Sequence, residues 1–176
     1  MTANMNENEE KKVTTGLPSQ EVIDRSEEDI INSLLAAADY KEDEESQKLV
    51  EIKRNGKLLF SFHIRPLGEP ELQRIRKQST PYYPNPEGKR LPKIEGDIRY
   101  GEFKSRKIYE ATVEADREKM WDSPALKRGL KAKGIDIMEN WEIIDAVLMA
   151  GEKNVLSDAI DDISGYDMDL TEYAKN

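Results

Sequence analysis

From Glu27 to Asn176 the chain alternates short apolar stripes with charged spacers, and the stripes leave the helical period in one stretch only. In "SQEVIDRSEEDIINSLLAAAD", Ile30, Ile31, Leu34 and Leu35 recur at i, i+1, i+4 and i+5, one face of a helix with a face to bury. Ser26 is placed to cap it, and Glu27, Glu28 and Asp29 suit the positive end of the helix dipole. Residues 1–18 have no such period and predict a disordered segment; "KEDEES" after the helix reads as a solvated connector.

The period then shortens to two. "LVEIKRNGKLLFSFHI" sets two apolar-rich runs around Asn55-Gly56, a β-hairpin near residues 48–65. A two-residue turn at Asn55-Gly56 would pair Lys53 with Leu58 and Glu51 with Phe60, charge against apolar. A three-residue loop, Arg54 to Gly56, pairs Ile52 with Leu58 and Val50 with Phe60 and is the register the pattern favours. It predicts a buried face of Val50, Ile52, Leu58, Phe60, Phe62 and Ile64. Glu51, Lys57, Ser61, His63 and Arg65, with Leu49 and Leu59, fall on the wet face.

Helical spacing returns for the rest of the chain. "PLGEPELQRIRKQS" predicts a short helix with Pro70 in its first turn, ending before Thr80-Pro81. A proline-rich loop, residues 80–100, follows. A helix is expected from Lys104, with Ile108, Ala111, Thr112 and Ala115 on one side, and another in "WDSPALKRGLKAKG", with Ser123 as cap and Pro124 at its first position. "NWEIIDAVLMAG" predicts a helix capped by Asn140, striped by Ile143, Ile144, Val147 and Leu148 and stopped at Gly151. "EKNVLSDAIDDISG" predicts its antiparallel neighbour, striped by Val155, Leu156, Ala159, Ile160 and Ile163 and closing at Gly165. The expected fold is α+β, mainly α: a small antiparallel hairpin packed against a helical bundle. It forms a single domain over residues 19–167, with an acidic tail at 168–176.

Composition narrows the function. Of 176 residues, 37% are apolar and 36% charged, so the packed part should be smaller than the chain. Without cysteine there are no disulfides, thiolate nucleophiles or cysteine zinc sites. No apolar run approaches the roughly 20 residues of a membrane helix, and "MTANMNENEEKKVTTG" lacks the apolar core of a signal peptide, so a cytoplasmic protein with no membrane contact is expected. The net charge of −9 argues against nucleic acid as a partner. It is unevenly spread: residues 48–133 hold 21 Lys/Arg against 12 Asp/Glu, while both flanks are strongly acidic. Acidic ends can therefore fold back on the basic middle or meet that of a neighbouring copy.

Candidate chemistry is sparse. His63 is the only histidine and sits on the polar strand face, so neither a catalytic dyad nor a histidine metal site can be assembled. Aligning "SDAIDDISGYDMDL" as a calcium loop around Gly165 puts Ile160 and Thr171 at ligand positions, which such a loop does not accept. No nucleotide, zinc-protease or serine-hydrolase motif occurs. The chain is expected to be no enzyme, with no cofactor and no metal. Adhesive positions remain: Leu49, Leu59 and His63 on the hairpin, Trp141 as either core anchor or interface residue, and Leu148 on a helical stripe that would accept a partner helix. The hairpin edges are templates for strand addition, most simply to a copy of the same chain.

In order, the hairpin running into "IRPLGEPELQRIRKQ", then "KIYEATVEAD", "DSPALKRG", "AVLMAGEKNVLSDAI" and "ISGYD" resembles the XkdN-like phage tail assembly chaperones, over roughly Leu34 to Asp167. The resemblance implies a non-catalytic protein of the host cytoplasm that binds the tape measure protein and keeps it soluble. It implies help for tail-tube protein assembling around the tape measure protein, self-association, and absence from the mature virion. The alternative from another class is a structural tail or connector protein of a phage or prophage particle.

Overall fold

The computed structural model describes residues 27–39 and 44–165. The expected disorder of residues 1–18, the Ser26 cap and the acidic tail lie outside them. Among the described residues, 27–37 form a unit distinct from the rest. Helix α1, Glu27–Asp39, has the expected helical stripe, but its apolar residues are exposed: Ile30 47%, Ile31 49%, Leu34 65% and Leu35 59%. In place of the solvated connector, Glu44–Ser46 form a 3-10 turn that buries Ser46.

The second unit starts with the hairpin, β1 Lys48–Arg54 and β2 Lys57–Ile64, antiparallel. Its register corrects the three-residue loop. Asn55 and Gly56 both take positive φ, 51° and 75°, as a two-residue turn of the kind favoured between twisted strands requires. Arg54 faces Lys57 and Lys53 faces Leu58; the register then shifts, so that Ile52 faces Phe60 and Val50 faces Phe62. Leu59 is the residue left over. The two sequence demands, an Asn-Gly turn and an apolar inner face, are reconciled by a bulge inside the strand rather than by a longer loop. Leu58, expected to be buried, lies opposite Lys53 and is 47% exposed.

Helix outweighs strand, as expected. Helix α2, Glu69–Gln78, starts with Pro70 in its first turn, and Glu71 accepts the Gly68 N–H at 2.7 Å. The proline-rich segment is not one open loop: β3 Tyr82–Tyr83 pairs with β4 Ile94–Glu95, and the Gly96 N–H reaches the Pro81 carbonyl at 2.8 Å. Helix α3, Tyr100–Ala111, begins one turn before Lys104. Helix α4, Glu114–Lys119, has no stripe of its own and no buried residue, so periodicity misses it. Helix α5, Pro124–Ala132, is capped as expected, with Ser123 Oγ accepting the Leu126 N–H at 3.3 Å.

The last two helices differ from the expected plan. Helix α6 spans only Glu142–Val147, Leu148 is extended, and α7 runs Ala150–Ile163. Gly151 is therefore inside the first turn of α7 rather than a stop. Asn140 does not cap with its side chain, which donates to Asp122. Both α6 and α7 pack on α3, so the expected αα-hairpin becomes two helices arranged around a third. Gly165 does close α7, at φ +86°.

The core joins the hairpin's inner face to the helices: Ile52, Phe62, Ile64, Leu67, Leu72, Ile75, Ile108, Ala111, Trp121, Leu130, Ile143, Ile144, Leu148, Leu156 and Ile160. Trp121 lies at its centre, edge-on to Phe60 and Phe62 with ring centroids 6.2 and 5.6 Å away. Its indole N–H donates to Thr112 Oγ1 at 2.9 Å, and the threonine hydroxyl donates to the Ile108 carbonyl at 2.7 Å. The ring's polar atom is thus satisfied at no cost to burial.

Candidate partner-binding surfaces

The two edges of the hairpin are treated differently by the chain. Along the C-terminal end of β2, Arg65 N–H donates to the Ala111 carbonyl at 2.8 Å and Val113 N–H donates to the His63 carbonyl at 2.9 Å. Ile64 and Thr112 form an isolated antiparallel bridge. The His63 N–H is taken by Asp116 Oδ2 at 2.8 Å, and the same carboxylate oxygen lies 2.8 Å from His63 Nδ1. The connector between α3 and α4 therefore acts as a short third strand, completed by a side chain. Burial pushes the Asp116 carboxyl up, but the backbone and ring hydrogen bonds from His63 outweigh it and hold the group below its ordinary value.

Among the described residues, nothing pairs with the opposite edge. Backbone groups alternate between the two sides of a strand. Because His63 and Arg65 point theirs outward from β2, Phe62 and Ile64 point inward, and across the ladder Val50 and Lys48 point inward too. Leu49, Glu51 and Lys53 then direct their N–H and C=O groups away from the hairpin. Among the described residues no backbone hydrogen bond reaches them from outside it. Leu49 is 53% exposed, and Glu51 and Lys53 pair with each other along the strand.

The tip of the hairpin is fixed by Arg54. Its guanidinium donates to both carboxylate oxygens of Glu152, at 2.9 and 2.7 Å, and to the Val147 carbonyl at 2.7 Å. Glu152 also accepts the Met149 N–H at 2.8 Å, so one carboxylate begins α7 and anchors β1. The hydrogen bond from Arg54, opposed by desolvation and helped by Met149, holds the Glu152 carboxyl below its ordinary value.

A groove of about 830 Å3 runs between α2, α3 and α7, with Leu72, Tyr100 and Phe103 on its walls and Asp158, Asp161 and Asp162 along one rim. Lys107, almost wholly buried in it, donates to the Ser157 carbonyl and hydroxyl at 3.0 Å each and pairs with Asp161 at 2.6 Å. Sequence reading missed this lysine because it ends the basic run Lys104–Lys107, and a charge in such a run reads as solvated. The signal available was its position one residue before Ile108 on an otherwise packed helix. Among the described residues no three His, Cys, Asp or Glu side chains converge as a metal site would require.

Of the candidate contact residues, Leu49, Leu59 and His63 are exposed on the hairpin. Trp141 is half-buried under the Arg106 guanidinium, 4.5 Å from its ring centroid, and donates to Glu139 at 2.8 Å. Leu148 is in the core, 5% exposed. The structure groups the hairpin residues and leaves Trp141 and Leu148 apart from them. Sequence reading passed over Trp121, the tryptophan that does fill the core.

No helix among the described residues is long and apolar enough to cross a membrane. No curated protein matches the chain. Among solved structures, the crystal structure of the protein YqbN, a structural genomics target, is similar at a TM-score of 0.39 and 16% identity. The match covers 69% of this chain and 87% of that one. The family model of the phage XkdN-like tail assembly chaperone protein matches residues 31–176. That match takes in the hairpin, both of its edges and all the packed helices, and the chain belongs to the XkdN-like phage tail assembly chaperones.

Proposed function

We propose that this chaperone binds the tape measure protein of its phage or prophage, keeps that long chain soluble in the host cytoplasm, and promotes assembly of tail-tube protein around it without entering the mature virion. Membership of the family over residues 31–176 carries the reading. The function is non-catalytic: such a protein needs reversible adhesive surfaces and high solubility, and the excess of acidic over basic residues serves the second.

The exposed surfaces support it. A helix with one apolar face and one polar face gains stability mainly by burying the apolar one. Four large aliphatic residues of α1 instead face solvent, a ready seat for a helix of the partner. The hairpin, with Leu49, Leu59 and His63, serves association between copies of the chaperone.

Co-expression with the tape measure protein of the same phage tests the reading. The wild-type chain should be captured with it and raise its soluble yield. Ile30→Asp combined with Leu34→Asp should abolish capture while leaving the circular dichroism spectrum of the packed unit unchanged. Failure of the wild-type chain to bind would overturn the proposal. Stoichiometric amounts of this chain in purified particles, measured by mass spectrometry, would favour a structural tail protein instead.

A further inference from the structure

The β1 edge is open, whereas a connector and a carboxylate of the same chain close the β2 edge. Exposed edges attract strands, and proteins commonly blunt them with prolines, bulges or charged side chains, lysine above all. The charges of β1 are of both signs, Glu51 and Lys53, so they repel a strand in some registers and attract it in others. β1 has no proline, and the bulge is carried by β2, so three consecutive outward positions, Leu49, Glu51 and Lys53, are left regular and accessible.

We infer that the β1 edge pairs with β1 of a second copy, antiparallel about a two-fold axis at Ile52, making one four-stranded sheet from two hairpins. This deepens the self-association within the functional reading above and rests on it. Charge selects the register. A two-fold axis at Glu51 would set two carboxylates directly opposite each other. An axis at Val50 would set Leu49 against Glu51 of the other copy. An axis at Ile52 sets Glu51 opposite Lys53 twice, once on each side.

In that register Glu51 and Lys53 of opposite copies exchange backbone N–H and C=O bonds, because both point outward. Their side chains, which among the described residues pair along their own strand, gain cross-strand partners. The strand-internal pair is an exposed one, 55% for Lys53 and 43% for Glu51, so exchanging it loses little. The inner face is undisturbed, since Val50, Ile52 and Arg54 remain against their own helices. The outer face of the joined sheet carries Leu49 and Leu58 from both copies.

Charge reversal on the intact chain tests the inference. Sedimentation of the wild-type protein over a concentration series should show a dimer. E51K alone sets lysine opposite lysine and K53E alone sets glutamate opposite glutamate, so each should weaken the dimer by about tenfold or more. Mixing the two variants should restore a heterodimer, and E51K/K53E in one chain should restore the homodimer. The Glu51 and Lys53 amides should become slower to exchange with deuterium as wild-type concentration rises.

Because both side chains are exposed, the variants should keep the wild-type circular dichroism spectrum. A wild-type monomer with freely exchanging edge amides would overturn the proposal. So would a dimer indifferent to all four charge states, or amides protected only when tape measure protein is added. Tape measure capture, scored on the same variants through the α1 stripe, separates failure of this pairing from failure of the functional reading.

Discussion

Trp121 and Trp141 are both tryptophans beside helices, yet they are energetically unlike. The Trp121 ring is sealed between Phe60, Phe62 and the helices, and its N–H is satisfied by Thr112. Trp121→Ala should therefore cost about 3–5 kcal/mol, the range for emptying an aromatic site in a core. Trp141 is stacked on Arg106 at the surface, a contact of about 0.5–1 kcal/mol, and Trp141→Ala should cost about that much. Urea unfolding of the two variants checks the contrast.

Asp116 supplies a pH dependence at the same scale. Its folded-state carboxyl is held below the ordinary value of 3.8, so the folded protein favours the ionised form more than the unfolded chain does. Stability from this group is fully present above the unfolded value and is lost as pH falls through the folded one. Glu152 behaves the same way from its ordinary value of 4.5. Unfolding free energy should fall as pH drops below about 4.5, and Asp116→Asn should make that fall shallower while also lowering stability at neutral pH. Equal slopes in the two proteins would show that the His63–Asp116 contact does not set the acid limb.

At the scale of elements, the joint between α3 and α7 runs through a buried ammonium. Lys107 is 2% exposed, whereas its partner Asp161 is 40% exposed. The lysine must be desolvated, and its charged partner among the described residues is a carboxylate that water still reaches. Replacing Lys107 by Met keeps the volume and removes the desolvation cost, so stability should stay within about 1 kcal/mol of wild type. Asp161→Ala leaves the buried charge with only the two Ser157 oxygens and should cost more, about 1–3 kcal/mol. Thermal unfolding of both variants gives the order; Lys107→Met as the worse of the two would reverse the assignment.

The hairpin shows what element-level patterns carry and what they omit. Asn55-Gly56 marked the turn, and the alternation of Val50, Ile52, Phe60 and Phe62 marked the inner face. Either feature alone gives a register, and the two registers conflict. The strand resolves the conflict with one inserted residue, Leu59, which no local signal in the sequence singles out. The Gly151 stop failed for a related reason. Glycine ends a helix only where the chain needs positive φ, and here Glu152 opens a new helix by accepting the Met149 N–H.

For the whole molecule, the division into two units makes a prediction about truncation. Removing residues 1–37 should leave the remaining unit with the melting temperature of the full chain, because the core residues all lie between Ile52 and Ile160. The same truncation should abolish capture of tape measure protein, which the functional reading assigns to the α1 stripe. A truncated chain that still binds would move the partner site to the hairpin or to the groove between α2, α3 and α7.

The sequence by itself determined the hairpin and its turn, most of the helices, and the starts of α2 and α5, because periodicity and capping residues are local properties. It also carried enough ordered motifs to point to the family. Which edge of the hairpin is closed, which tryptophan is buried, that α6 and α7 share α3, and that Leu148 is core while the α1 stripe is exposed were decided by tertiary structure alone. Each of these depends on which distant segment reaches a given side chain or backbone group first. Asp116 lies 53 residues from His63, and Glu152 lies 98 from Arg54, separations over which no sequence period extends.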